Sequence, residues 1–337
     1  MKRTFLMLAF VLFGAAVFAQ SEEEILNKWI STYNELSSTK NYDGMISSFE
    51  ACHQELPNWD FAYYYKGLAE FNKQDFQSAV KDLTAFTSKV DSVSAAYMMI
   101  AQCLNSLSQP QDALSYLNIY LQKEPNDKAA YLEMANSHRA LNQYDAYTED
   151  LKKVVSLDAS NESAYRNLAT AYAMQKNYVS AVESLNKAVE LNASNSEYYF
   201  TRATYKLSSK DAELAKTALD DLNKAEELGK TDAKLYDTKY KCCAMMKNYD
   251  CAVESCTKLL EINPDDINVL YNRANTLYKI KKYKEAIADM DKVINHEKVN
   301  DKTKLNALKT RYMCYKSLND AAKANADLEL INKMSGK

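Results

Sequence analysis

Apolar side chains recur along most of this chain with the period of a helix, and they recur in paired blocks. Residues 162–195 show the arrangement most clearly. Tyr165, Leu168, Ala169 and Tyr172 form one block, and Tyr178, Ala181, Leu185 and Ala188 form the next. Spacings of three and four place each block on one face of a helix. The blocks are separated by the short polar stretch Gln175-Lys176-Asn177, which predicts a tight turn between two antiparallel helices.

The pair is repeated. Ala79, Ala113, Ala181, Ala252 and Ala286 stand 34, 68, 71 and 34 residues apart, which are multiples of 34 with one addition of three. Such a period marks stacked supersecondary units rather than one globular core. Counting back nineteen from each alanine gives units 26–59, 60–93, 94–127, 128–161, 162–195, 196–232, 233–266 and 267–300. The sixth unit carries three extra residues near Ser208–Ala215, and a degenerate pair covers 301–337. Small residues at the eighth slot of the unit (Gly67, Ala101, Ala135, Ala169, Ala203, Ala274) and alanine at the twentieth predict a close helix crossing. Pro57, Pro125 and Pro264 all fall on the thirty-second slot, where a proline stops the second helix. Pro110 falls between the two helices of the third unit.

This pattern resembles the tetratricopeptide repeat (TPR) family. It has an aromatic at slot four (Trp29, Tyr63, Tyr97, Tyr131, Tyr165, Tyr236), a small residue at eight, alanine at twenty and proline at thirty-two. The resemblance covers 26–300 closely and 301–337 more loosely. It implies an all-α fold, an α-solenoid of about nine stacked antiparallel helix pairs in one right-handed superhelix. Two departures stand out. Slot twenty holds Met45 and Tyr147 in the first and fourth units, and slot seven, leucine-like in the family, holds Lys66, Arg202, Lys239 or Arg273. In the last pair Leu308, Tyr312, Tyr315, Leu328 and Ile331 continue the apolar seam. Lys323, Asn325, Asp327, Glu329 and Lys333 read as the solvated face of a C-terminal cap.

The first nineteen residues differ from the rest. Lys2 and Arg3 precede an apolar run from Phe5 to Phe18, and Val17-Phe18-Ala19 supplies small residues at the −3 and −1 positions. This reads as a secretory signal peptide, too short to span a bilayer, cleaved after Ala19. Residues 20–25 then form a short N-terminal lead. Ser21-Glu22-Glu23-Glu24 places acids where a helix N-terminus favours them. The expectation is an exported protein, periplasmic or secreted, with no transmembrane segment in the mature chain. The Ala-Gln junction and the Tyr-, Asn- and Lys-rich composition are similar to those of Bacteroidota exported proteins.

Composition narrows the function. With 5 Gly and 4 Pro in 337 residues, turn formers are scarce, as an all-α chain requires. The balance of 42 Lys and Arg against 45 Asp and Glu argues against a nucleic-acid partner. His53, His138 and His296 lie in different units and cannot converge on one metal, and His138 at slot eleven reads as a core residue. No glycine-rich phosphate loop and no nucleophile–base spacing is present. The reading is therefore a non-enzyme with no cofactor and no metal. Of the seven cysteines, Cys242, Cys243, Cys251 and Cys256 share the seventh unit. Cys243, Cys256 and Cys52 occupy core slots, which suits packing. Cys242 and Cys251 flank the turn at similar distances and are the candidate disulfide of an exported protein.

In the family the first helix of each pair lines the concave face, through slots two, five, six, nine, twelve and thirteen. Carried over by slot, this implies a partner-binding groove of Tyr64, Tyr65, Met98, Met99, Asn136, Arg139, Arg166, Asn167, Thr170, Thr201, Lys234, Thr238, Lys241, Tyr271 and Asn275. Amides, hydroxyls and cations suit a peptide backbone and its carboxylates, and the aromatic and methionine end suits apolar anchoring. Some members hold a C-terminal carboxylate with Lys and Asn. Here Arg166, Thr170, Thr201, Lys234 and Thr238 stand at those slots, so only the two positive positions match. The resulting expectation is a non-catalytic scaffold that binds a protein or peptide segment, within a cell-envelope complex of a bacterium. The alternatives are a self-assembling structural array and a Cys-rich metal- or redox-binding repeat protein.

Overall fold

The computed structural model describes residues 20–209 and 211–335, so the leader expected at 1–19 lies outside the described residues. Every regular element among them is a helix. They divide into two compact units, one ending at Ala164 and the other starting at Tyr165.

The first unit contains α1 (Gln20–Ser38), α2 (Tyr42–Glu55), α3 (Phe61–Lys73) and α4 (Phe76–Thr87). It continues with α5 (Ser94–Ser106), α6 (Pro110–Lys123), α7 (Lys128–Ala140) and α8 (Tyr144–Leu157). Consecutive helices pack as pairs, and the second helix of each pair packs on the first helix of the next. The residues assigned to a lead, 20–25, are the first turns of α1, with Glu22 and Glu23 at its N-terminus.

The second unit contains most of α9 (Glu162–Met174), then α10 (Tyr178–Leu191), α11 (Ser196–Ser208), α12 (Ala212–Lys216) and α13 (Ala218–Glu227). It ends with α14 (Ala233–Met245), α15 (Tyr249–Ile262), α16 (Ile267–Lys279), α17 (Tyr283–Asn295), α18 (Asp301–Ser317) and α19 (Ala321–Met334). The same pairwise stacking holds from α10 to α19, α11 pairing with α13. The three-residue addition forms the extra short helix α12, capped by Asp211, whose carboxylate accepts from Glu213 N and Leu214 N.

The turns show how the chain writes each pair. Lys40, Gln74, Ser108, Asn142, Lys176, Lys247, Lys281 and Asn319 all have φ between 54° and 69°. Each is the fifteenth residue of its unit, Asn319 when the last unit is counted from 305, and there the first helix ends in a left-handed residue. The next residue caps the second helix. Asn41, Asp75, Asn177, Asn248 and Asp320 each accept a hydrogen bond from the backbone N–H three residues on. Pro110 is the first residue of α6 rather than part of the turn before it, a position that needs no N–H donor.

Packing follows the slots. Ala79, Ala113, Ala181, Ala252 and Ala286 are fully buried, and Met45 and Tyr147 are buried in the same place. At Gly67 a Cβ would stand 2.6 Å from Leu83 Cγ, so the crossing of α3 and α4 leaves no room for one.

The cations at slot seven add ion pairs to this core. Arg273 donates to both oxygens of Asp289 at 2.8 and 2.7 Å, and Arg202 does the same to Asp221. Lys66 lies 3.1 Å from Asp82. In the third and fifth units slot seven holds Ile100 or Leu168, and sixteen residues on stands Tyr116 or Ser184 instead of an acid. Lys239 has Ser255 at that position and turns instead to Glu226 of the preceding pair at 2.5 Å.

Arg311 and Asp327 repeat the motif at the same spacing, with Ala324 buried between. This sets the last unit at 305, not 301, with the first turn of α18 as an extension. It also corrects the cap. Asp327 is 2% exposed and paired, whereas Leu328 is 38% exposed.

Candidate functional site

The first helices of neighbouring pairs touch one another, α3 with α5 and α5 with α7 in the first unit, and α11 with α14 and α16 with α18 in the second. Side chains at slots two, five, six and nine therefore form a surface within each unit.

In the first unit much of the expected apolar anchor is part of the core. Tyr65 stacks on Phe49 and Trp59 at 5.5 and 5.9 Å and tilts onto Tyr33. Burial, with Tyr64 and Tyr33 adding to it, pushes its hydroxyl up to about 12. Tyr64 leans on Phe86 at 5.1 Å. Met99 is 9% exposed and belongs to the apolar cluster of α4–α6, so it is withdrawn from the surface. Met98 is half-buried, and Asn136 and Arg139 are exposed on the last turns of α7. Slot periodicity alone missed the polar bridge beside them. Ser137 donates to Asn105 at 2.8 Å, and Asn105 donates to Glu133 at 3.1 Å, joining α5 to α7.

The second unit presents a more polar surface. Arg166 and Lys234 are exposed, and the Lys234 ammonium lies 5.4 Å over the ring of Phe200. Thr170, Thr204 and Thr238 each donate their hydroxyl proton to the carbonyl four residues back, at 3.1, 3.0 and 2.8 Å. Their lone pairs are left to accept, so these threonines present acceptors rather than donors. Thr201, Asn167 and Tyr271 are half-buried. Lys241 is exposed but paired with Asp237 at 2.6 Å. Asn275 donates to Tyr271 O and accepts from Thr310, so it ties α16 to α18.

The cysteine pairing differs from expectation. Cys251 is bonded to Cys243, not Cys242, with the α-carbons 5.8 Å apart. One step along α14 rotates the side chain by about 100°. Slot eleven faces the partner helix α15, whereas Cys242 points into the cluster formed with Tyr199, Phe200 and Leu222 of the preceding pair. The free thiols of Cys52, Cys103, Cys256 and Cys314 are buried, and burial pushes them up to about 11–12. Among the described residues no group of three His, Cys, Asp or Glu side chains could hold a metal.

Each histidine has its own local partner. His138 Nδ1 lies 2.6 Å from Asp150, His53 Nε2 lies 3.1 Å from the Tyr63 hydroxyl, and His296 accepts from Lys298 N. A cleft of about 300 Å³ opens between α2 and α3, lined by Phe49, Glu50, His53, Gln54, Ala62, Tyr63 and Lys66. No described helix is long and apolar enough to cross a membrane.

Tetratricopeptide repeat family models match residues 64–128, 130–196 and 255–288. Among solved structures, the C-terminal part of a TPR repeat-containing protein from Cytophaga hutchinsonii is similar at 17% identity and a TM-score of 0.60. The match covers 71% of this chain and 97% of that one. A tetratricopeptide repeat protein from Parabacteroides merdae is similar at 17% identity and a TM-score of 0.48, covering 77% of this chain and 100% of that one.

Proposed function

Since the chain belongs to the tetratricopeptide repeat family, we propose that it is a non-catalytic scaffold whose second unit binds an extended peptide segment of a protein partner. The repeat fold supports protein–protein interaction as the general role. The observation that carries the finer reading is the surface of Arg166, Thr170, Thr204, Lys234 and Thr238. Threonine lone pairs there can accept the N–H groups of an extended chain, and two exposed cations can hold its carboxylates. Charge reversal at Arg166 and Lys234 should abolish capture of the partner identified by crosslinking in the native cell, with far-UV circular dichroism unchanged. Full capture by that double variant would remove the groove from the proposal.

Export is part of the same proposal. The leader at 1–19 and the Cys243–Cys251 bond both suit an oxidising compartment, and a place in a cell-envelope complex is proposed with it. N-terminal sequencing of mature protein should begin at Gln20; a retained Met1 would overturn it.

The self-assembly reading gains one observation. The twenty-fourth slot is buried in α2, α4, α6, α8, α10, α13, α15 and α17, but its equivalent in α19, Leu328, is exposed. A mass that stays monomeric in light scattering across a hundredfold range of concentration would dispose of that reading.

A further inference from the structure

The first unit buries more negative charge than it can neutralise. Where α2, α3 and α4 pack, three carboxylates meet one cation. Lys66 Nζ lies 2.9 Å from Glu50, 3.1 Å from Asp82 and 3.9 Å from Glu70. Glu50 reaches solvent, but Glu70 and Asp82 are 4% and 6% exposed. Oε2 of Glu70 has no hydrogen-bond partner in this setting.

The surrounding groups do not repair the imbalance. Asp75, the cap of α4, adds another negative charge close by. Lys73 on α3 is committed to Asp43 of α2 at 2.6 Å. From α5 the titratable neighbour is the Cys103 thiol, which burial keeps neutral. One ammonium shared three ways cannot balance two buried carboxylates, and two such groups in contact resolve the conflict by sharing a proton.

We propose that Glu70 is a proton-operated latch, its carboxyl group holding a proton against Asp82 while α3 and α4 are closed and losing it as the pair opens. The direction of its titration supports this. Burial first, then the charge of Asp82, pushes Glu70 up to about 7, with Lys66 opposing. In the opened chain the group returns to the ordinary carboxylate range, near 4.3. A folded value above the unfolded one means that the stabilisation is complete below the unfolded value. It is lost as pH rises toward and through the folded value. The latch therefore weakens across neutrality, well above the range in which an ordinary carboxyl group loses its proton.

Amide hydrogen exchange of the full chain tests it, following the backbone of α3 and α4 between pH 6 and pH 8 after correction for intrinsic exchange. The opening equilibrium should rise about tenfold over that range, and Glu70→Gln should make it flat. Asp82→Asn removes the neighbouring charge and should move the transition to lower pH. A wild-type opening constant independent of pH, or a slope retained in Glu70→Gln, would overturn the latch. Should Glu70→Gln fail to fold, a carboxyl carbon NMR titration of the wild-type protein decides the matter. A Glu70 midpoint below pH 5 refutes the proposal and one near 7 sustains it.

Discussion

Replacing Arg273 with leucine tests whether the slot-seven cations are structural parts of the repeat or decorations of its surface. Asp289 is 3% exposed, and its two oxygens receive Nε and Nη2 of Arg273 at 2.8 and 2.7 Å. Nη1 of the same guanidinium reaches Thr257 of α15 at 3.1 Å, so the side chain also joins one pair to the next. Arg273→Leu leaves a buried carboxylate without its counter-ion, which costs about 3–5 kcal/mol. That is more than a hundredfold in the local folding equilibrium. The fifth unit shows what a neutral solution looks like, with Leu168 and Ser184 at the two equivalent positions. The double variant Arg273→Leu, Asp289→Ser should therefore recover most of the loss and fall within about 1 kcal/mol of wild type, because neither charge is then desolvated.

Urea denaturation followed by circular dichroism gives the global midpoint. Amide exchange in α16 and α17 gives the local value, which matters because repeat arrays need not unfold as one unit. A single variant that costs under 1 kcal/mol, or a double variant no better than the single, would refute the reasoning.

Other outcomes follow from the same packing. Gly67→Ala should destabilise by about 1–3 kcal/mol in thermal denaturation, because the new Cβ meets Leu83 Cγ at 2.6 Å and its backbone N at 3.3 Å. Lys281→Gly should stabilise by about 1 kcal/mol, since a side chain at φ 63° carries the left-handed penalty that glycine lacks. Alkylation of unreduced, unfolded protein should label five thiols, and reduction should raise that to the seven of the whole chain. Labelling of all seven before reduction would reject the bond. Cys251→Ala should lower stability by about 2.5 kcal/mol, the chain-entropy value for the eight-residue separation of Cys243 and Cys251.

The pairing at slot seven was legible in the sequence, although a leucine-like consensus reads those cations as departures. Lys66, Arg202, Arg273 and Arg311 each have an aspartate at the equivalent of sixteen residues on, once the three-residue addition near α12 is removed. The same count moves the last unit to 305. The partner of Cys251 was not legible, because Cys242 and Cys243 are adjacent and a turn spacing treats them alike. Nor was the withdrawal of Met99, which depends on how α5 rotates against α4 and α6.

The helices, their pairing and their turns can be read along the chain, because each of these is local. A 3–4 apolar spacing, an Asn or Asp cap and a left-handed residue act within a few positions of one another. Packing between helices settled which polar side chains are committed. Asn105 and Asn275 look free along the chain and are engaged by Ser137 and Thr310 of neighbouring pairs in space. It also decided where two buried carboxylates share one cation, Glu70 and Asp82 beside Lys66. Burial and counter-ion distance belong to elements packed together across a repeat, and no position in the sequence carries them alone.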